Sequence, residues 1–506
     1  MYKKLNTKRP GWPAGLFGLV LLFCSFSSTA QLSLTGQLRS RGEVRQGFGN
    51  LLTKEAVAAS FISQRTRLQF GYKRNHLNFG ITAQDIRLWG QDASTISATD
   101  GNRLMLHEGW AEIILANKAD TSFRFKILDN FSVKIGRQEL IYDDSRLIGN
   151  LDWLQQGRRF DMALMKVMNN GWQFDLGYAF NQHSENFTGV DYTPGNIPQY
   201  VKNDIGVLVP TPGGIVPLLA ANGNSAAGGS PAYTNPPGTN GANQNYKNFV
   251  SLYIAKKLNW AKVSGLFFKD DFAKYRPAFV PAGGGTVYGR AFDVKGTQDR
   301  YTYGVMISPT YGIGSGFGRL ALQGAYYQQK GEDRDGRDLN AYHYSLSALW
   351  SKGKWAAGPG YDVLSGNKST TSAQESRRFD PLYGTPHKFW GYMDFFYAGT
   401  GSPAAGLKNY YVKTKYTRDD FFLAADYHHF SVANALAATS QRSLGDELDL
   451  TAGYTVNKFT VVELGYSIMK ATGTLPLVKG QAATTVYDKT PEWAYLTINI
   501  KPDFLQ

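Results

Sequence analysis

The chain has 506 residues, carries a formal charge of +14 and is 42% hydrophobic, with 30 Tyr, 30 Phe and 55 Gly. Its one cysteine, Cys24, excludes a disulfide scaffold and a thiolate metal site, and after the first thirty residues no run is apolar enough to span a bilayer as a helix. A tyrosine- and glycine-rich chain of modest hydrophobicity matches a transmembrane barrel, in which only half of each strand meets lipid.

Lys3, Lys4, Lys8 and Arg9 precede the apolar run from Leu16 to Phe26, and Ser28-Thr29-Ala30 forms a small-residue cleavage site before Gln31. That is the pattern of a secretory signal peptide, whose apolar core is too short for a retained anchor. A lipoprotein signal wants a small residue before its cysteine, and Phe23 argues against lipidation. The expected organisation is a signal peptide over 1–30 and one membrane barrel over 31–506. Losing the four basic residues of the signal lowers the formal charge from +14 to +10.

From Gln31 onward the dominant signal is alternation. In the first segment Leu32, Leu34, Leu38 and Val44 oppose Ser33, Thr35, Gln37, Arg39, Arg41 and Glu43. The same period recurs in Ile62 to Tyr72. It is most regular in Trp172 to Asn181, where Trp172, Phe174, Leu176, Tyr178 and Phe180 alternate with polar or small residues. It returns in Leu320 to Tyr327, Tyr342 to Trp350, Glu447 to Tyr454 and Val461 to Ile468. Period two over eight or more residues predicts strands with one wet and one apolar face. In chain order about eighteen strands are predicted, near 32–45, 60–73, 75–88, 104–116, 122–137, 158–168, 171–181, 247–257, 260–270, 298–308, 318–329, 339–351, 353–363, 408–417, 420–430, 445–456, 458–470 and 492–501.

The connections obey a parity that a soluble β-sandwich lacks. Lys73 to Asn75, Asn169-Asn170, Lys257 to Asn259, Ser351-Lys352, Thr417 to Asp419 and Val456 to Lys458 are short and carry turn residues. Longer connections at about 182–246, 271–297, 364–407 and 471–491 alternate with them. The predicted fold is therefore an all-β, antiparallel transmembrane barrel of about 18 strands, with short periplasmic turns and long extracellular loops, in the outer membrane of a Gram-negative bacterium. The Gly- and Pro-rich stretch from Gln182 to Tyr246 either folds into the mouth or extends into solvent.

Enzyme motifs are absent: there is no G-x-S-x-G elbow, no H-E-x-x-H and no phosphate-cradling glycine loop. His428 and His429 project to opposite faces of one strand and read as ordinary strand histidines. Asp333 to Asp338 looks superficially like a calcium loop, but two arginines and Asp335-Gly336 make it a solvated turn. No metal, cofactor or nucleic-acid partner is expected. The basic residues are more informative. Arg39, Arg41, Arg65, Arg67, Lys134, Arg159, Arg300, Arg319, Lys413 and Lys415 fall opposite the apolar face. Charge facing lipid near the midplane costs about 2–4 kcal/mol, so these side chains are expected to line the lumen. Acids cluster later in the chain, at Asp426, Glu447, Asp449 and Glu463. A basic wall favours anions in the pore, and arginine binds a sugar carboxylate bidentately.

Gly136-Arg137-Gln138-Glu139-Leu140, Tyr142, Asp144, Arg146, Leu147, Gly149, Asp152-Trp153 and Gly157-Arg158-Arg159-Phe160-Asp161 resemble the signature of the alginate export family. Phe379-Asp380-Pro381-Leu382-Tyr383-Gly384-Thr385, His387-Lys388-Phe389 and Gly391-Tyr392-Met393-Asp394 resemble it too. The resemblance implies an eighteen-stranded barrel with a narrow, arginine-lined pore for an anionic polysaccharide. By motif, Arg137, Arg158 and Arg159 become candidate pore residues, with Asp161 as an acidic partner. Arg137 shares parity with Phe131, Val133 and Ile135, so a lumenal Arg137 requires a bulge or a strand that has left the hydrocarbon band.

Three functions compete: an outward conduit for an acidic polysaccharide, an uptake porin for small anions or sugar acids, and a structural barrel whose loops bind a surface partner. Outer-membrane lipid and periplasmic export or uptake components complete the expected partners. Intact-mass measurement of the membrane-purified protein should give a chain beginning at Gln31. A species retaining Lys3 and Lys4 contradicts the expected processing.

Overall fold

The computed structural model describes residues 31–505 apart from 75, 91–103, 121–122, 124, 183–196, 221, 234–245, 397–402 and 483. The signal segment, with Cys24, lies outside the described residues. The alternating segments form eighteen long strands closed into one antiparallel barrel. The first nine are β1 Gln31–Gln46, β2 Ala59–Arg74, β3 Leu77–Leu88, β4 Met105–Asn117, β5 Asn130–Gln138, β6 Phe160–Asn169, β7 Trp172–Phe180, β8 Tyr246–Lys257 and β9 Ala261–Ala273. The rest are β10 Thr297–Ile313, β11 Gly318–Glu332, β12 Asp338–Lys352, β13 Trp355–Leu364, β14 Leu407–Arg418, β15 Phe421–Val432, β16 Ser443–Asn457, β17 Thr460–Ala471 and β18 Glu492–Ile500.

Each strand pairs with its chain neighbours. The ring closes because β1 pairs with β2, from Gln31↔Lys73 to Arg45↔Ala59, and with β18, from Leu38↔Ile500 to Gln46↔Glu492. Past β18 the tail continues the ladder, with Gly36 N donating to Pro502 O and Phe504 N to Leu34 O, each at 2.9 Å. Among the described residues closure leaves no edge strand in the barrel wall, which the hydrocarbon layer demands. Alternation sorts the two faces. In β7, Trp172, Phe174, Leu176, Tyr178 and Phe180 are exposed on the outer wall, while Asp175 and Ala179 are buried inside.

One end of the barrel carries tight turns. Asn170 and Gly171 have φ of +48° and +76°, the pair of left-handed residues a two-residue hairpin needs. The turn lies one residue beyond the predicted Asn169-Asn170. The predicted strand at 122–137 is also shorter than expected. β5 starts at Asn130, and the buried Phe123 stacks on His76 at 3.8 Å instead of continuing the ladder.

The other end carries the long connections. Described parts of 181–245 join the 274–296 connection in a separate sheet, where Ile215–Leu219 pairs with Gly285–Ala291. This sheet has its own small core of Val201, Val209, Ile215 and Val287. Two other connections, 139–159 and 365–406, fold into the lumen. Their Leu147, Ile148, Phe379, Tyr383, Trp390 and Phe396 pack against inward-facing Phe160, Phe249, Phe268, Phe272 and Phe430 of the wall. A large apolar side chain gains about 1.5–3 kcal/mol on full burial, so these loops have a strong reason to enter. The inner face is thus apolar towards the outer end, where alternation alone predicted polar or small residues.

Because the described chain has no cysteine, single thiols report topology cleanly. Ala437→Cys, in the connection after β15, should react with a membrane-impermeant maleimide on intact cells. Lys458→Cys, in the turn after β16, should react only after the outer membrane is opened. The reverse pattern inverts the assignment of the two ends.

Candidate functional site: a loop-crossed, basic constriction

The connection between β5 and β6 crosses the lumen as a strap, tied to the wall at successive points. The Asp143 carboxylate accepts from Tyr253 on β8 at 2.7 Å, and from Lys262 and Ser264 on β9 at 2.9 and 2.8 Å. The next carboxylate, Asp144, accepts from Gln323 of β11 at 2.5 Å, and Arg146 pairs with the buried Asp362 of β13 at 2.8 Å. The strap then returns to β1 and β2, where Asp152 meets Arg65 at 2.9 Å, Arg39 at 3.4 Å and Arg67 at 3.6 Å. Asp143, Ser145 and Leu151 hold φ between +50° and +70°, and each such residue costs on the order of 1 kcal/mol or more. The wall contacts hold them there.

Arg39, Arg41, Arg65 and Arg67 occupy alternate positions of β1 and β2, and all four are buried inside. Besides Asp152, Arg39 donates to Gln155 at 3.0 Å and to the Asp152 carbonyl at 2.8 Å. Arg41 pairs with Glu43 at 2.8 Å and donates to the Trp153 carbonyl at 2.9 Å. Arg65 donates to Gln37 at 2.8 Å, and Arg67 donates to Gln84 at 2.5 Å and lies 3.0 Å from His107. Burial alone would raise the Asp152 carboxyl. Arg65, Arg39 and Arg67 outweigh it and hold the group below the ordinary carboxylate range. Arg159 sits beside this cluster; its Nε is buried with no hydrogen-bond partner among the described residues.

The second infolded loop locks onto the strap. Arg158 donates to the Gly384 carbonyl at 2.6 Å. Arg300 binds both Asp270 of β9 and Asp380, and Tyr383 donates to Asp270 at 2.9 Å. On the far wall, Met393 N donates to Glu447 at 2.8 Å and Tyr392 N to Asp449 at 3.3 Å. Gly391 has φ +83°, and a Cβ there would lie 2.6 Å from the Glu447 oxygens, so only glycine allows this approach. A stack joins the loops: Arg41 lies 4.2 Å from the Trp153 ring, Trp153 is 4.1 Å from His387, and His387 is 4.8 Å from Tyr392. His387 Nδ1 also lies 3.1 Å from Asp394.

Beside this stack remains a cavity of about 660 Å³. Arg39, Arg41, Lys388, Lys413 and Lys415 line it, against Asp152, Asp426 and Glu463. Lys413 pairs with Asp426 at 2.6 Å. Burial lowers the Lys388 ammonium; Asp144 offsets part of this, while Arg146 and Lys413 push it further down.

The residues singled out by sequence thus separate into groups. The four arginines of β1 and β2 converge with Arg159 at the strap. Arg158 and Arg300 are buried where the second loop is tied down. Lys134 lies inside but apart, 3.8 Å from the Trp110 ring and outside the cavity lining. Arg137 and Asp161 are not lumenal. They form a cross-strand pair at 2.8 Å on the outer wall, on the same side of β5 as Ile135, which is 52% exposed. The register of β5 on β6 is unbroken from Asn130 to Gln138, so no bulge turns Arg137 inward. Gln155 and the stacking role of Trp153 and His387 were not foreseen. The only sequence signal for them was their place in the two motif stretches.

The barrel is similar to OpdO of Pseudomonas aeruginosa, at 12% identity and TM-score 0.52 over 94% of this chain and 98% of that one. It is similar as well to OccAB4 of Acinetobacter baumannii, at 11% identity and TM-score 0.54 over 94% and 99%. A third likeness is to OccD3 (OpdP) of Pseudomonas aeruginosa, at 13% identity and TM-score 0.52 over 94% and 92%. The chain is an outer-membrane β-barrel of porin architecture. No curated protein matches it in sequence. The alginate export family model matches residues 30–179, the span that holds β1 to β7, the arginine wall and the strap.

Asp152 offers a direct test of the arginine cluster. A depressed carboxyl pKa contributes stability that is complete above the ordinary value near 3.9 and lost as pH falls through the lowered value. Between pH 5 and 8 this group should therefore leave barrel stability unchanged. Asp152→Asn should lower the temperature of the gel-mobility shift across that whole range, and lower it less at strongly acid pH.

Proposed function

We propose that the protein is a passive, anion-preferring channel that carries an acidic polysaccharide or its oligomers across the outer membrane. The observation that carries this reading is the cavity beside the stack, where five basic side chains from β1, from β14 and from an infolded loop face three carboxylates. Arg39 and Arg41 stand on β1, Lys415 and Lys413 on β14, and Lys388 on the infolded loop between β13 and β14. An acidic chain moving past meets positive charge on either side, and low-dielectric walls screen that charge less than open water does. Guanidinium stays ionised at any working pH, so the field is permanent. Uronate carboxylates spaced along a polymer can pass from one cation to the next without a tight site that would hold them. The match of residues 30–179 to the alginate export family supports an acidic glycan as the solute. A passive pore has no built-in direction, so export and uptake share this mechanism.

Lys388 and Lys415 are the better targets for a selectivity test, because Arg65 and Arg67 pair with the strap carboxylate Asp152, whereas Lys388 meets the strap only at the Asp144 carbonyl, at 3.1 Å. In a planar bilayer with a dilute salt gradient, Lys388→Gln/Lys415→Gln should move the reversal potential towards neutral. The shift should shrink with added salt, as the Debye length falls from about 10 Å at 0.1 M to about 3 Å at 1 M. Uronate oligomers should block the wild-type conductance more strongly than that of the variant. Unaltered anion selectivity in dilute salt, in a folded variant, removes the basis for the proposal.

A further inference from the structure

A second basic recess lies away from the constriction, where the β11–β12 hairpin meets the infolded 365–406 connection. Its volume is about 170 Å³, and Arg300, Arg334, Arg337, Arg378 and Asp380 line it. The hairpin is a tight turn. The Asp333 carboxylate accepts from Asp335 N at 2.9 Å and from Arg337 N at 3.0 Å, and Gly336 adopts φ +76°. The run that superficially suggested a calcium loop therefore spends its first carboxylate on its own backbone.

The other two carboxylates are engaged in part. Asp335 accepts from Tyr275 at 3.1 Å and pairs with Arg290 at 2.9 Å. Asp380 is held by Arg300 at 2.7 Å through one oxygen, and its other oxygen is buried with no hydrogen-bond partner among the described residues. Two guanidiniums are engaged only by long ion pairs, Arg334 also lying 5.3 Å from the Phe272 ring. Arg334 has Asp380 at 3.5 Å without hydrogen-bond geometry, and its Nε is buried with no partner among the described residues. Arg337 has Asp335 at 3.6 Å and Asp333 at 4.0 Å, both beyond hydrogen-bond reach. Buried polar groups normally find a partner, which singles out Arg334 Nε; Arg337 is exposed beside it, and each guanidinium offers five donors. Two such forks at one recess suit the oxygens of a carboxylate, sulfate or phosphate. The recess belongs to the inside of the ring: Gln329 and Leu339, also in its lining, are buried inward-facing residues of β11 and β12.

We propose that this recess is an oxyanion-binding site at the outer mouth, taking one carboxylate, sulfate or phosphate group through Arg334 and Arg337. The site stands apart from the conduit reading, since it asks only for an oxyanion on the long-loop side. Its chemistry fits the carboxylate of an acidic sugar or the phosphate of a lipid headgroup, and two probes separate these sources. Isothermal titration of the detergent-purified protein at low ionic strength would use sodium glucuronate and inorganic phosphate, with glucose as the neutral control. The wild type should bind a charged probe, and the Lys388→Gln/Lys415→Gln background, which alters the constriction, should keep a binding component that the arginine changes remove. Arg334→Gln/Arg337→Gln should bind about tenfold more weakly, the scale of one lost charge-assisted hydrogen bond. Stronger binding of glucuronate points to a glycan, and stronger binding of phosphate to a headgroup. If the double variant does not give a folded barrel, Arg337→Gln alone, at the exposed tip, should weaken binding about threefold. The proposal is overturned if the wild type binds neither probe, or if binding survives the arginine changes. It fails equally if only the lysine variant loses binding, because the probe then sits in the constriction.

Discussion

Three guanidiniums, from Arg39, Arg65 and Arg67, converge on the one carboxylate of Asp152, and the shape of the lumen depends on that meeting. Alternation forces these arginines onto the same inner wall, where close like charges in partly desolvated surroundings repel. No acid on β1 or β2 neutralises all of them. Glu43 is already shared by Arg41 and Arg45. The counter-charge comes from another part of the chain, which is why the β5–β6 connection has to cross the barrel. Backbone carbonyls of Asp152, Trp153 and Leu154 accept further guanidinium hydrogen bonds, so the strap answers the arginines with dipoles as well as with charge.

A strap held only by ion pairs at one end would move. Here its other anchors, Asp143, Asp144 and Arg146, reach β8, β9, β11 and β13, and the second loop packs against it. Phe160, Phe249 and Tyr383 meet edge-to-face or stacked, with centroids 5.3 to 6.1 Å apart, and Leu147 and Ile148 of the strap join the same apolar core, so the strap and the second loop share it with the wall. The stack from Arg41 through Trp153 and His387 to Tyr392 then bridges from β1 to the loop that Glu447 and Asp449 hold by its backbone. The basic and acidic walls are thus connected through planar groups. The space left beside them is a defined cavity rather than an open tube.

This arrangement divides the cations by what they are free to do. Arg146, Arg158 and Arg300 are buried and engaged, and their charge serves to place the loops. Lys388, Lys413 and Lys415 line the cavity, together with the edges of Arg39 and Arg41. A count of lumen-facing arginines therefore overstates the charge that a passing solute meets. The lysines on the later strands and on the second loop contribute more of it than their place in the chain suggests. The Arg137–Asp161 pair shows the converse: a family motif can be conspicuous in sequence and serve the outer wall, where pairing lessens the cost of charge near lipid.

The sequence by itself determined the barrel. Period two needs no knowledge of partners, because the pleat sends successive side chains to opposite faces, and turn chemistry such as Asn170-Gly171 marks which connections are tight. Eighteen strands, their parity and the inward aim of Arg39, Arg41, Arg65 and Arg67 all follow from local pattern. Tertiary structure alone decided what fills the ring. Apolar residues such as Phe249, Phe268 and Phe430 face inward because two loops arrive to cover them, and no local pattern reports a contact with residues that lie tens of positions away or, for Phe249 and Phe268 against Tyr383, more than a hundred. Likewise nothing near Asp152 in the sequence shows that three arginines from β1 and β2 will reach it, since that meeting exists only once β1 to β6 have paired into one curved wall and the strap has crossed in front of it.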